Sequence, residues 1–153
     1  VKRITVLGIG NLLMQDDGVG VHVIRHLQER ELPPEVKLID GGTYSYDLLE
    51  FIIEADTCIV VDAMHGGGEP GTIYRAPFDE LGLKPVAGAV SLHEISLVEA
   101  VYLLRLEGYD PDIIVYGVEP HTVSLGLELT DTVSRQVPRV AEMIEKDIMS
   151  LLM

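Results

Sequence analysis

The stretch GIGNLLMQDDGVG, residues 8–20, follows an apolar, β-branched run and leads into a helical pattern. Strand, glycine-bearing loop and helix in that order form the first turn of an α/β domain, the place where such domains commonly bind ligands. Gly8 and Gly10 match the opening of the dinucleotide signature G-x-G-x-x-G, and Asp40 ends the next strand-like run, where a ribose-binding acid would stand. The third glycine position holds Leu13, however, and Asp16 and Asp17 stand where a pyrophosphate would sit. Carboxylates in a partly desolvated cleft repel an anion. Helix capping accounts for one of the two acids, and both together exceed what a cap requires.

Outward from this loop, strands and helical patterns alternate. KRITVLGIG (2–10), VKLIDGG (36–42), TCIVVDAM (57–64) and DIIVYGVEP (112–120) read as strands. The basic start and apolar run at the N-terminus read as the first strand, since no small-residue cleavage site follows. GTIYRAPFD (71–79), half polar and bounded by Gly and Pro, reads as a fifth strand at a sheet edge. Helical periodicity covers 18–31, 46–55, 93–108 and 131–152, with Pro138 kinking the last helix or marking its true start. The order implies one α/β domain over residues 1–153, with a largely parallel sheet covered on both faces. Ligands of such sheets bind beyond the carboxyl ends of the strands, and Asp16, Asp17, Asp40, Asp62, Glu119 and His121 all fall on that rim.

Composition narrows the partners. The chain has 153 residues, 47% of them hydrophobic, enough for one real core. With 25 acidic against 11 basic side chains and a formal net charge of −14, it repels nucleic acid and anionic membrane surfaces and favours a cation or a basic peptide. No segment approaches the roughly 20 uninterrupted apolar residues of a membrane span. The single cysteine, Cys58, lies in an apolar strand and reads as a buried inert thiol, so a soluble, cytoplasmic protein is expected.

Five histidines are present. His22 and His26 are spaced to clamp a metal from one helix, but they face away from Val19, Val23 and Leu27 and lack the Glu of H-E-x-x-H, so they read as a solvated face. His65 follows Asp62 in a glycine-rich loop, and His121 follows a strand end. His93 opens an otherwise apolar helix, either as a turn or capping residue or with its side chain toward the rim. The residues alone single out none of them.

GIGNLLMQDDGVG, LIDGGT, VVDAM, SLHEISL and YGVEP, in this order and spacing, resemble the endopeptidases that mature nickel–iron hydrogenases. The resemblance covers nearly all of the chain, and its first block carries G-N-x-L-x-x-D-[DE]-G-x-G. It implies a three-layer α/β/α fold with a twisted five-stranded sheet, mostly parallel, with one antiparallel strand, which suits 71–79. It also implies an activity: removal of a C-terminal extension from the hydrogenase large-subunit precursor after nickel insertion. Carried over residue by residue, the family's metal site becomes Asp17, Asp62 and His93, with Asp16 in a supporting role. Gly41, Gly42 and Thr43 would admit the substrate tail, or else merely turn the chain from strand to helix. Ser45 stands where many relatives have glycine.

Two carboxylates and an imidazole suit a divalent first-row ion; nickel accepts both donor types, and zinc or cadmium would also bind. The resemblance implies that the nickel arrives in the substrate and need not be a resident cofactor. It would polarise the scissile carbonyl or a water, or else Asp17 or Asp62 would act as general base. Two other classes fit parts of the pattern: a nickel-holding chaperone that cleaves nothing, and a nucleotide-binding module.

Overall fold

The computed structural model describes residues 2–43, 46–82 and 92–153, without the side chains of 46–47 and 92–96. The strands are β1 (Ile4–Ile9), β2 (Val36–Gly42), β3 (Thr57–Ala63), β4 (Ile73–Pro77) and β5 (Asp112–Val118), in one sheet of order β2-β1-β3-β5-β4. β1 pairs in parallel with β2 and β3, and β3 with β5. β4 lies at the edge, as its half-polar sequence predicts, and runs antiparallel to β5, as the resemblance implies. The helices are α1 (Val19–Gln28), α2 (Tyr46–Ile53), α3 (Leu92–Leu106), α4 (Asp131–Ser134) and α5 (Val137–Leu152).

Side chains alternate across each strand and divide the core in two. Ile4, Val6, Ile59, Val61, Tyr116 and Val118 join α1 and α5 on one face. Leu7, Ile9, Cys58, Val60, Ile113 and Val115 meet Leu48 and Ile52 of α2 and Val101 and Leu104 of α3 on the other. Burial on both faces explains why the central strands read as continuous apolar runs. Burial also pushes the Cys58 thiol up to about 12, consistent with an inert core residue. Among the described residues no helix is long and apolar enough to cross a membrane.

Of the two readings of Pro138, the structure takes the second: α4 ends at Ser134, and α5 begins at Val137 with Pro138 in its first turn, where a missing N–H costs nothing. One expectation changes. His22 is not on a solvated face. It lies beside a cleft of about 330 Å³ lined also by His26, Leu129, Val137 and Pro138, its Nε2 buried without a hydrogen-bond partner. The periodicity of α1 alone was misleading here, because the segment leading into α5 covers the flank of the helix that its own apolar stripe leaves open.

Candidate functional site

The chain leaves β1 toward one sheet edge, to β2, while β3 sits on the other side of β1 and leads onward toward β4. The crevice at the carboxyl ends of β1 and β3 is therefore the switch point of the sheet. The glycines of residues 8–20 bring the first loop down onto it. A Cβ on Gly20 would lie 2.2 Å from the Val61 carbonyl oxygen and 2.5 Å from that of Ile9, and one on Gly8 would lie 2.4 Å from the Gly20 carbonyl oxygen. Gly10 has φ +145°, and a side chain there would meet the Asp17 carbonyl at 2.1 Å. These glycines are used for backbone packing, which explains why they match a phosphate signature only in part. What they dock at the strand ends is the acidic turn Gln15–Gly18.

Within that turn the two aspartates differ. Asp16 is fully buried. Its Oδ1 accepts the Thr130 N–H at 2.8 Å; its Oδ2 accepts the N–H groups of His121 (2.9 Å) and Thr122 (3.0 Å) and the Thr130 hydroxyl (2.8 Å). Burial alone would push its carboxyl up, but the hydrogen bonds from Thr122, Thr130 and His121 together outweigh it and hold the group below the usual carboxylate range. Asp16 is thus a clamp on the loop between β5 and α4 and not a helix cap; α1 starts after Gly18 with no side-chain cap. Gln15, just before it, has φ +47°, an uncommon conformation for a residue with a side chain.

Glu119, past the end of β5, is a second clamp, buried to within 6%. Its Oε1 accepts the Tyr74 hydroxyl (2.6 Å) and the Gly66 N–H (2.8 Å), and its Oε2 lies 3.2 Å from His65 Nδ1. Donation from Tyr74, with that from Gly66 and His65, holds its carboxyl low against the effect of burial. The rim acid after β5 therefore fastens the 64–72 loop, and His65 is spent on the same fastening. His121 gives its N–H to Asp16 and sets its ring against the Thr122 hydroxyl at 2.8 Å.

Asp17 and Asp62 remain at the crevice. Asp17 accepts the Asn11 N–H at 3.0 Å, and Asp62, 7% exposed, accepts the Ala63 N–H at 2.8 Å. Asp62 lies opposite Gly117 of β5 and follows Cys58 and Val60 in strand alternation, which puts it on the α2 and α3 face. α3 ends at Leu106, close in sequence to the start of β5 at Asp112, and its 15 residues span about 22 Å, against about 23 Å for a seven-residue strand. The N-terminal end of α3 is accordingly level with the rim. His93 is its second residue, and the His93 side chain lies outside the described residues, as does Ser45. Among the described residues no group of three or more His, Cys, Asp or Glu side chains stands ready to hold a metal ion. What they contribute is an oxygen-donor set, suited to a divalent cation.

The loop after β2 borders the same crevice. Asp40 turns the chain by accepting the Gly42 N–H at 3.0 Å, and the Gly42 carbonyl accepts the Gly10 N–H at 2.8 Å, fastening this loop to the first. Gly41 lies against Leu7 and the Gly8 carbonyl; Gly42 has φ +55° with open space around it, and Thr43 is exposed. Gly41 is thus explained by packing, while Gly42 and Thr43 face room for a ligand.

A family model described as hydrogenase maturation protease matches residues 21–147. The hydrogenase 2 maturation protease of Escherichia coli is 30% identical over 145 residues, 93% of this chain and 88% of that protein. The hydrogenase expression/formation protein HupD of Rhodobacter capsulatus is 36% identical over 146 residues, 94% of this chain but 67% of its own length. Among solved structures, the hydrogenase maturating endopeptidase HybD from Escherichia coli superposes with a TM-score of 0.89 at 30% identity, covering 97% of this chain and 93% of that one.

Proposed function

The chain belongs to the hydrogenase maturation protease family and is a peptidase, and we propose that it removes the C-terminal extension of a nickel–iron hydrogenase large-subunit precursor once nickel is in place. The observation that carries the reading is the placement of Asp17 and Asp62 at the switch-point crevice, where glycine packing has drawn the acidic turn onto the ends of β1 and β3, while Asp16 and Glu119 fasten the loops beside it.

In this reading the nickel is part of the substrate. Asp17 and Asp62 offer it carboxylate oxygens, His93 offers a nitrogen, and recognition of the ion brings the scissile peptide to the rim. Hydrolysis then requires that a water attack the carbonyl, that its proton be taken up and that the departing amine be protonated; a carboxylate at the rim is suited to the first proton transfer. Gly42 and Thr43 border the path of the tail.

The test is to incubate the chain with nickel-loaded and nickel-free precursor and to compare the product lengths. Shortening of the nickel-loaded form alone is expected. Equal shortening of both forms would remove nickel from recognition. Tight binding of the nickel-loaded form without shortening would make the chain a holding chaperone.

A further inference from the structure

The first loop and the loop that Asp16 clamps are joined into one surface. Met14 bridges Gly126, the Gly126 N–H donates to the Leu13 carbonyl at 2.8 Å, the Gln15 N–H donates to the Gly126 carbonyl at 3.0 Å, and the Ser124 hydroxyl bonds Gln15 Oε1 at 2.7 Å. This surface carries four apolar side chains in solvent: Leu125 is 84% exposed, Leu127 69%, Leu13 55% and Val123 45%. A single exposed leucine is ordinary, but four on two mutually fixed loops form a patch. The loops are held by a buried carboxylate with four hydrogen bonds, so the patch is presented in a set conformation, which lowers the ordering cost of binding.

We propose that this patch is where the folded body of the substrate docks, an inference that rests on the function proposed above. The partner face it fits is apolar at its centre and flanked by Lys and Arg. Residues 4–24 and 106–134 contain no Lys or Arg, while Asp17, Glu128 and Asp131 lie within a few residues of the leucines in sequence and give these segments negative charge. That charge, in a chain of net −14, opposes a second copy and attracts a basic rim. A side chain as exposed as Leu125 stands out from the surface; it meets a facing surface and encloses no peptide tail. Leu13 lies four residues before Asp17, so docking here registers the precursor body against the crevice.

The test measures affinity of the wild-type chain and of a Leu125→Ser, Leu127→Ser double variant for nickel-loaded precursor and for mature large subunit lacking the extension. Because both leucines are exposed, melting should be unchanged. The proposal expects the variant to bind both partners at least about tenfold more weakly, and Glu128→Lys to weaken binding most at low salt. Variant affinities within about twofold of wild type would overturn it while normal wild-type processing left the function standing. A loss confined to the precursor would assign the patch to the tail instead, and a wild-type dimer in sedimentation that the variant abolishes would assign it to a second copy. A wild-type chain that neither binds nor shortens the precursor would refute the proposed function, and this inference with it.

Discussion

The two halves of a two-residue motif, Asp16 and Asp17, behave as different regions of the molecule. Asp16 points into the protein and holds the β5–α4 loop from more than a hundred residues away; Asp17 stays with its own loop at the crevice, bonded to Asn11. The same contrast separates Glu119, which fastens the 64–72 loop, from Asp62 at the end of β3. Residue type and position on the rim are alike in all four. What differs is what each holds: Asp16 and Glu119 fasten loops distant in sequence, while Asp17 and Asp62 accept N–H groups of their own segments. A carboxylate that ties distant loops together contributes stability and rigidity.

Exchanging the residues on the two sides of this contrast should produce opposite phenotypes. The largest effect on activity is expected from Asp17→Ala and Asp62→Ala: processing falls by at least about a hundredfold in a gel assay of precursor length, while the unfolding midpoint stays close to wild type. The largest effect on stability is expected from Asp16→Asn. Both of its oxygens accept N–H groups, so either orientation of the amide sets its NH2 against a donor, and urea denaturation should register a loss of about 2–3 kcal/mol. Wild-type stability in this variant would break the comparison. Glu119→Gln is milder, because one oxygen takes the donors from both Gly66 and Tyr74 and the amide replaces only the contact to His65. A loss below about 1 kcal/mol is expected, with processing retained.

The smallest effects are in pH dependence. Asp16 has a native carboxyl held below its unfolded value of 3.8, so its contribution is complete above about pH 4 and is lost as pH falls through the native value. His22 is held below 6.5 by burial, then by Arg25; the unfolded chain takes up this proton first, so stability falls as pH drops from 6.5 toward the native value. Denaturation midpoints of wild type and His22→Gln, compared at pH 7.5 and 5.5, should show a smaller drop in the variant. Equal drops would mean that His22 is hydrated and not covered.

Much of the fold was legible in the sequence because it rests on short-range rules. Apolar, β-branched runs with glycine or proline boundaries marked the five strands, and the half-polar run at 71–79 marked the edge. The acids on the rim were legible for the same reason, as strand ends recur at one side of a parallel sheet. Their separation into clamps and crevice residues was not, because the donors to Asp16 come from Thr122 and Thr130, and Glu119 is matched by Tyr74 and Gly66. Nothing near Asp16 in sequence announces those partners. His22 shows the same limit, since helix periodicity reports which face an element buries by itself and is silent about a neighbour laid over its flank.

The central claim, that the crevice carboxylates recognise nickel carried by the substrate, is tested most directly by X-ray absorption at the nickel edge. Nickel-loaded precursor with a blocked cleavage site would be measured alone, with the wild-type chain and with Asp17→Ala. The account predicts that the wild-type chain adds oxygen donors to the nickel shell and that Asp17→Ala adds fewer. An unchanged nickel shell in a complex that still forms would contradict it.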